Sequence, residues 1–217
     1  MTTLTTSPCA AAVARLFAEA AASDARLDEQ RQALDSGTRM PRTDDYRALY
    51  GALKDFHLAV SGETAMLLYM LARSSRASTI VEFGTSFGVS TLHLAAALRD
   101  NGGGKLISTE FEPTKVARAH ANLTAAGLDD LVEIRVGDAL ETLARDLPEE
   151  IDLVLLDGAK NLYPKVLSLL EPRLRSGSMV LADNADWSPD YLARVRSAAG
   201  GYVSVPFASD VELTMRL

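Results

Sequence analysis

Cysteine and histidine are scarce in this 217-residue sequence, which has one cysteine and three histidines. Cys9 alone cannot form an intramolecular disulfide or build a multi-cysteine zinc site, and such sparing use is typical of a reducing compartment. The histidines, His57, His93 and His120, lie in predicted helical segments and are not spaced like metal ligands. We therefore expect a cytoplasmic protein with neither a disulfide scaffold nor a zinc cluster.

Long apolar runs and a basic surplus are also missing. No apolar run approaches the roughly 18 residues of a membrane-spanning helix, and residues 1–8 have neither the basic start nor the apolar stretch of a secretory signal. The formal net charge of −7 would repel a phosphate backbone, and no stripe of Lys and Arg with interleaved aromatics offsets it. We expect a protein that binds neither membrane nor nucleic acid.

The length and the hydrophobic content of 47% suffice for one sizeable core and fall short of two complete domains. We expect a single domain over 1–217. Residues 1–60 are predicted to form a helical cap from the helices 11–34 and 44–57, with turn signals at 36–41 between them. Residues 61–217 are predicted to form an α/β core that begins with Ser61 as the N-cap of a helix over 65–72.

Seven β-rich runs follow, at 79–83, 105–110, 132–136, 151–157, 178–182, 202–206 and 211–217. Helical segments near 90–98, 113–126, 139–147, 163–174 and 189–199 alternate with them, which predicts a parallel sheet covered on both faces. Only four residues separate the last two runs, so they form a hairpin and not a helical crossover. A seven-stranded sheet with an antiparallel last strand is typical of Rossmann-like class I methyltransferases, whereas a dinucleotide dehydrogenase usually stays parallel.

The carboxyl ends of the first three strands carry residues suited to a nucleoside ligand. The first strand ends in a turn bracketed by Gly84 and Gly88, where the backbone can pass close to a ligand. Glu110 ends the second strand and can accept hydrogen bonds from two ribose hydroxyls. After the third strand, the Asp138 carboxylate and the Ala139 N–H can address an adenine. A tight structural turn and a solvated strand-end acid are the alternatives for Gly84 and Glu110.

The glycine turn distinguishes between two nucleoside cofactors. A pyrophosphate is usually held by Gly-x-Gly-x-x-Gly at a helix N-terminus, but this turn has Ser86 at the second glycine position and an acid, Glu82, nearby. An acid disfavours phosphate and suits the cationic amino group of S-adenosylmethionine. The turn therefore favours S-adenosylmethionine over NAD.

Polar residues also follow the fourth and fifth strands, which a parallel sheet makes neighbours. Asp157, Asp183 and Asn184 supply two carboxylates and an amide oxygen, a ligand set suited to Mg²⁺, with Ca²⁺ or Mn²⁺ as alternatives. A bound cation lowers the pKa of an aromatic hydroxyl, and two adjacent hydroxyls can chelate it. Lys160 is placed to take the proton as general base, with a pKa that burial and the cation would lower. An ordinary surface lysine is the alternative.

The stretch 60–184 resembles the cation-dependent O-methyltransferases, the family of catechol and caffeoyl-CoA O-methyltransferases. The resemblance rests on VEFGTSFGVS (81–90), STE (108–110), LLDGAKNLY (155–163) and ADN (182–184). It implies S-adenosylmethionine as cofactor, S-adenosylhomocysteine as product, and a small vicinal-dihydroxy aromatic as acceptor. The methionine part would contact Val60, Glu82, Gly84, Thr85 and Ser90, and the nucleoside Glu110, Asp138 and Ala139. Metal would bind Asp157, Asp183 and Asn184, Lys160 would be the base, and Asn184 would also touch the acceptor.

One position departs from the family pattern. Ala159 stands where some relatives place a large aromatic against the acceptor ring, which puts the orientation of the substrate in doubt. Trp187 could supply that wall or serve only in packing. Asp210, in the final hairpin, could accept from the acceptor's second hydroxyl or be a plain turn aspartate. The resemblance also implies a homodimer formed through the N-terminal helices.

Other functions stay open on the residues alone. A metal-independent methyltransferase of the same fold would use Asp183 and Asn184 only to shape its pocket. An NAD-dependent oxidoreductase and a cofactor-binding protein without catalysis are further alternatives. A methyltransferase acting on amino groups of nucleic acid or protein would be expected to carry an Asn/Asp-Pro-Pro-aromatic run after the fourth strand, which is absent here.

Overall fold

The computed structural model describes residues 1–34 and 46–217 of the chain. The α-helices within these residues are α1 Cys9–Leu34, α2 Tyr46–Ala52, α3 Gly62–Ser74, α4 Val89–Asp100, α5 Pro113–Ala126, α6 Ala139–Thr142, α7 Tyr163–Leu170 and α8 Pro189–Val195. The strands are β1 Thr79–Phe83, β2 Lys105–Glu110, β3 Val132–Val136, β4 Ile151–Leu156, β5 Leu174–Ala182, β6 Tyr202–Phe207 and β7 Val211–Arg216. The predicted turn at 36–41 and the predicted helix start at 44 lie outside the described residues.

The seven strands form one sheet in the order β3-β2-β1-β4-β5-β7-β6. The first five strands pair in parallel, and β7 runs antiparallel to both β5 and β6. The chain winds outward from β1 to β3 on one side and continues from β4 on the other, so the direction switches between β1 and β4. The predicted Rossmann-like methyltransferase sheet is confirmed.

Helices cover both faces of the sheet, because successive strand residues point in opposite directions. Ile80, Leu106 and Leu153 face a core shared with α1, α3, α4 and α5. Val81, Ile107 and Val154 face a second core shared with α6, α7 and α8. The near-continuously apolar strands are thus buried on both sides, as a parallel sheet requires.

The start of the core follows the predicted capping. Ser61 precedes α3 in an extended conformation, and its Oγ accepts a hydrogen bond from Thr64 N–H at 3.0 Å. This bond satisfies one of the donors that a helix N-terminus leaves without an intrahelical partner. The helix is longer at both ends than the apolar run at 65–72.

Several helices end earlier than their sequence pattern predicts. Helix α2 ends at Ala52 and not at 57, and the N–H of His57 donates to Ser23 Oγ of α1 at 2.9 Å. Helix α7 ends at Leu170, just before Pro172, and β5 then begins at Leu174 instead of 178. The extra residues of β5 form a bulge opposite β4, where the register shifts between Ile151 and Leu153.

The N-terminal segment packs on the core through α1. Leu16 is fully buried, and Arg15 donates to Asn122 of α5 at 2.7 Å. Ahead of α1, both the N–H and the hydroxyl of Thr3 donate to the Asp100 carboxylate that ends α4. Within residues 1–34 and 46–217, no helix has the length and apolar character needed to cross a membrane.

Candidate active site

The candidate site lies where the winding direction switches, at the carboxyl ends of β1 and β4. The N–H of Asp157 donates to Phe83 O at 2.8 Å, which brings the two strand ends side by side. Gly84 has φ +108°, and a Cβ there would lie 2.7 Å from Asp157 O. Only glycine permits this approach, because a side chain would meet the neighbouring backbone. Asp183 N–H donates in turn to Leu156 O at 2.9 Å, so the β5 end joins the same edge.

A cavity of about 860 Å³ opens over these strand ends. Most residues predicted for cofactor, metal or substrate line it: Val60, Gly84, Glu110, Asp138, Ala139, Asp157, Lys160, Asp183, Asn184, Trp187 and Asp210. Three predicted contacts of the methionine part do not line it, namely Glu82, Thr85 and Ser90. The structure thus brings both ends of the predicted site together around one cleft.

Glu82 is enclosed behind the glycine turn. It is fully buried, and its carboxylate accepts from Ser90 at 2.5 Å, Thr91 at 2.7 Å and Ser108 at 2.5 Å. Burial raises its pKa to about 7, against the opposing effect of these hydroxyls. Thr85 Oγ1 is likewise buried and contacts Ser108 Oγ at 2.5 Å. The Glu82, Thr85 and Ser90 side chains thus form hydrogen bonds behind the turn, and their contact with the methionine part stays a prediction.

Glu110 lies at the nucleoside end of the cleft. One carboxylate oxygen accepts from Ser86 N–H at 2.8 Å, and the other accepts from Glu112 N–H at 2.9 Å. Ser86 itself has φ +48°, so the turn that carries it is held in an uncommon backbone conformation. The two backbone bonds hold the Glu110 side chain at the cavity wall.

The Asp138 carboxylate accepts more hydrogen bonds from the protein than the sequence suggests. Its carboxylate accepts from Leu140 N–H at 2.9 Å, Tyr46 Oη at 2.9 Å and Arg47 Nη2 at 2.8 Å. Burial raises its pKa, but the bonds from Arg47, Leu140 and Tyr46 outweigh burial, and the pKa lies below its ordinary value. Helix α2 therefore reaches across the cleft to the strand end where an adenine was expected.

Lys160 and Asp157 form a buried ion pair at the other end of the cleft, with Nζ 2.7 Å from Asp157 Oδ1. Burial lowers the pKa of Lys160, but the carboxylate of Asp157 dominates and holds the pKa well above its ordinary value. The structure therefore does not show the expected lowering of this pKa. The physical reason is that the charges of two carboxylates, Asp157 and Asp183, stabilise the ammonium.

Asp183 is buried beside Asp157, and burial together with the charge of Asp157 raises its pKa to about 7. Asn184 adopts a left-handed conformation with φ 46°, and its Nδ2 donates to Asp210 Oδ2 at 3.0 Å. That bond directs the amide nitrogen toward the β6–β7 turn and leaves the amide oxygen available as a ligand. Asp210 thus has a definite contact that its place in a turn did not predict.

The donor types at this point fit a hard divalent cation, with two carboxylates and one amide oxygen. The pKa of Asp183 is raised by burial and by repulsion from Asp157, and a bound cation would offset both effects. Within the described residues, no three side chains of His, Cys, Asp and Glu converge as a metal-ligand group. The fit therefore depends on Asn184 as the third donor.

The acceptor end of the cleft has one small and one large side chain. Ala159 lines the cavity and is buried, while Trp187 lines it with 63% of its surface exposed. Trp187 lies outside the packed core, so its ring is free to form a wall of the cleft.

Two contributions to the cavity were not predicted. Tyr46 and Tyr50 of α2 line it, and Tyr50 Oη donates to Gly158 O at 3.2 Å. Lys115, near the start of α5, also lines it although only 4% of its surface is exposed. A lysine two residues into a helix has no local signal that separates it from a surface residue, whereas the burial of Lys115 is set by tertiary packing.

Comparison with known proteins assigns the family. A family model described as a methyltransferase domain matches residues 81–185. The chain is 34% identical over 130 residues to a catechol O-methyltransferase of Niastella koreensis, which covers 58% of this chain and 58% of that protein. It is 30% identical over 167 residues to a catechol O-methyltransferase of Sus scrofa, which covers 73% of this chain and 88% of that protein. The chain belongs to the S-adenosylmethionine-dependent O-methyltransferase family of the catechol and caffeoyl-CoA type.

A solved structure supports the same assignment. The O-methyltransferase TomG from Streptomyces achromogenes, involved in tomaymycin synthesis and solved with S-adenosylmethionine, matches with a TM-score of 0.65 and 25% identity. The match covers 85% of this chain and 94% of that chain. The chain spans between 57% and 63% of the length of the first three curated relatives it matches.

Proposed function

We propose that the protein transfers a methyl group from S-adenosylmethionine to a hydroxyl of a small, catechol-like acceptor, with the help of a divalent metal ion. The observation that carries the proposal is the convergence of Asp157, Asp183, Asn184 and Lys160 at one end of a cleft whose other end holds Glu110. The names of the curated relatives support the reaction class and the acceptor class.

The methyl donor would lie along the cleft from the nucleoside end to the metal-ligand end. Glu110 would accept from the ribose hydroxyls, and Ala139 N–H, free at the start of α6, would meet the adenine. Gly84 allows the donor's reactive part to approach the backbone where β1 and β4 meet. In this arrangement Tyr46, Arg47 and Tyr50 of α2 would cover the donor and exclude water from the cleft.

The acceptor would lie against Asp183 and Asn184, with Trp187 as a wall. Asp157, Asp183 and Asn184 would hold the cation, preferably Mg²⁺, with Ca²⁺ or Mn²⁺ as alternatives. When bound, the cation would lower the pKa of an acceptor hydroxyl and offset the negative charge that now keeps Lys160 protonated.

Lys160 would then accept the hydroxyl proton as general base. Its position suits this role because its ammonium already points at Asp157, within the group of oxygen ligands. The overall reaction yields a methyl ether, S-adenosylhomocysteine and a proton. Asp210 would keep the amide of Asn184 oriented through the 3.0 Å hydrogen bond, with direct contact to the acceptor's second hydroxyl as an additional role.

We also propose that residues 1–217 act as one domain, with 1–60 as a cap over the core at 61–217. The protein would work in the cytoplasm as a homodimer formed through its N-terminal helices. Its formal net charge of −7 favours a small neutral or cationic acceptor over nucleic acid.

The test is methyl transfer to a panel of catechols, measured with EDTA and again after Mg²⁺ is restored. We expect activity to vanish with EDTA and to return with Mg²⁺. Activity that ignores EDTA would contradict the metal requirement and favour a metal-independent methyltransferase. Cofactor binding without turnover of any catechol would contradict the acceptor class.

A matched pair of variants assigns the metal to the site. Asp183→Asn should raise the half-saturating Mg²⁺ concentration by at least about tenfold, whereas Asp186→Asn should leave it unchanged because Asp186 is exposed and does not line the cavity. Equal losses in both variants would contradict the proposed ligand set.

A further inference from the structure

Lys115 is a buried cation in the wall of the cleft. Only 4% of its surface is exposed, and its Nζ makes one hydrogen bond within the described chain, to Ser86 Oγ at 3.3 Å. The Ser86 hydroxyl donates its own hydrogen to His57 O, so it serves Lys115 as an acceptor. An ammonium carries three donors; besides Ser86 no hydrogen-bond acceptor among the described residues meets them, and the ammonium lies 5.3 Å from the centre of the Phe87 ring.

No acid among the described residues pairs with Lys115. The nearest acidic influence comes from Glu110, but both oxygens of Glu110 accept backbone N–H groups. Burial of an ammonium without an anionic partner is costly, and it lowers the pKa of Lys115 despite the surrounding acids. A buried ammonium that lacks an anionic partner in the protein and lines a ligand cleft indicates that the ligand itself supplies the anion.

The position of Lys115 indicates which part of the ligand carries that anion. Lys115 lines the cleft together with Glu110 at the nucleoside end and Asp157 at the acceptor end, and the charges of both acids act on its ammonium. Its contact, Ser86, is in the glycine turn, and the N–H of Ser86 binds Glu110. In S-adenosylmethionine the sulfur carries the nucleoside, the reacting methyl group and the amino-acid part, so the amino-acid part branches off between the nucleoside and the acceptor, and its carboxylate is the one anionic group of the molecule.

We propose that Lys115, positioned by its hydrogen bond to the Ser86 hydroxyl at the glycine turn, is the counter-ion of the amino-acid carboxylate of the methyl donor. This inference rests on the proposed use of S-adenosylmethionine. The sequence suggested Glu82 for the cationic amino group of the same methionine part, but Glu82 is fully buried behind the turn. Lys115 selects for the carboxylate, whereas Glu82 shapes the loop.

The test compares two ligands that differ only in the carboxylate, S-adenosylhomocysteine and its decarboxylated analogue, by calorimetric titration without metal or acceptor. Lys115→Met should weaken S-adenosylhomocysteine roughly 10- to 100-fold, as expected for loss of a charged hydrogen bond. The analogue should change less than about twofold on the same reasoning. Arg118→Met, one helical turn further along α5 and 53% exposed, is the matched control and should change neither affinity.

The outcomes separate the inference from the proposed function. An equal loss for both ligands would contradict the carboxylate assignment, as would equal affinity of the wild-type protein for both ligands. If Lys115→Met does not fold, the same titrations with Lys115→Gln, together with the wild-type affinities for the two ligands, test the carboxylate assignment. Failure of the wild-type protein to bind either ligand would contradict the proposed function itself.

A second arm distinguishes the cofactor carboxylate from that of an acidic acceptor. The KM of Lys115→Met is measured for catechol and for 3,4-dihydroxybenzoate at saturating methyl donor. We expect the ratio of the two KM values to equal that of the wild-type protein. A selective rise for the acidic acceptor would place the ammonium at the acceptor and overturn the proposal.

Discussion

Glu82→Gln tests whether this buried acid supports the glycine turn or contacts the ligand. The replacement keeps the shape of the side chain and removes its ionisation. Ser90, Thr91 and Ser108 can reorient their hydroxyls to serve an amide, since each hydroxyl is both donor and acceptor. The fold should therefore tolerate the change.

The magnitude follows from the pKa of Glu82, which burial raises from 4.5 to about 7. Between these values the folded protein binds a proton that the unfolded chain has released, so stability falls as pH rises through this window. The stabilisation that protonated Glu82 gives the folded protein is fully present below about pH 4.5 and lost above about pH 7, a change of about 3 kcal/mol in the free energy of unfolding. The variant lacks this loss because its amide does not titrate.

The assay is urea unfolding of both proteins at pH 5 and pH 8. The difference in free energy of unfolding, variant minus wild type, should be larger at pH 8 than at pH 5 by most of this amount. Glu63→Gln, which removes an exposed acid at the start of α3, should run parallel to wild type. If the stability of Glu82→Gln changed with pH as that of the wild type does, the buried, proton-binding state of Glu82 would be refuted. If the variant bound S-adenosylhomocysteine more than about threefold more weakly than the wild type, Glu82 would contact the ligand directly.

Three further substitutions probe the cleft. Lys160→Met should leave S-adenosylhomocysteine affinity nearly intact and lower kcat by at least about 100-fold; an unchanged kcat would remove it from proton transfer. Asp183→Asn should raise the half-saturating Mg²⁺ concentration by at least about tenfold, the usual scale for a lost ligand interaction, and an unchanged titration would contradict its role. Gly84→Ala should cost about 1–3 kcal/mol more than Gly102→Ala in urea unfolding, because both glycines have positive φ but only Gly84 faces backbone within 3 Å. Equal costs would refute the close contact with Asp157.

Local patterns in the sequence were sufficient for most of the sheet. The bounds of β1, β2 and β3 match their β-rich runs, and the four-residue link at 207–210 was enough to predict the closing hairpin. Strand ends of a parallel sheet meet at one edge. The meeting of Asp157, Asp183 and Asn184 therefore followed from their positions after β4 and β5.

Side-chain direction at the glycine turn was not predicted, although one signal was present. Glu82 alternates with Val81 and Phe83 along β1, and those two face the core shared with α6, α7 and α8. Glu82 must then face α4, where Ser90 and Thr91 bind it. Whether the acid meets a ligand or a hydroxyl depends on the path of the turn, which the pattern of apolar residues does not encode.

The sequence by itself determined the order of the elements, the parallel sheet with its antiparallel strand, and the polar residues at the strand ends. Tertiary structure alone decided that Asp210 orients Asn184, that Arg47 of α2 donates to the Asp138 carboxylate, and that Lys115 is buried in the cleft. The physical reason is range. Periodicity and capping act over a few residues, whereas these contacts join segments 26 to 91 residues apart or depend on several elements packing together.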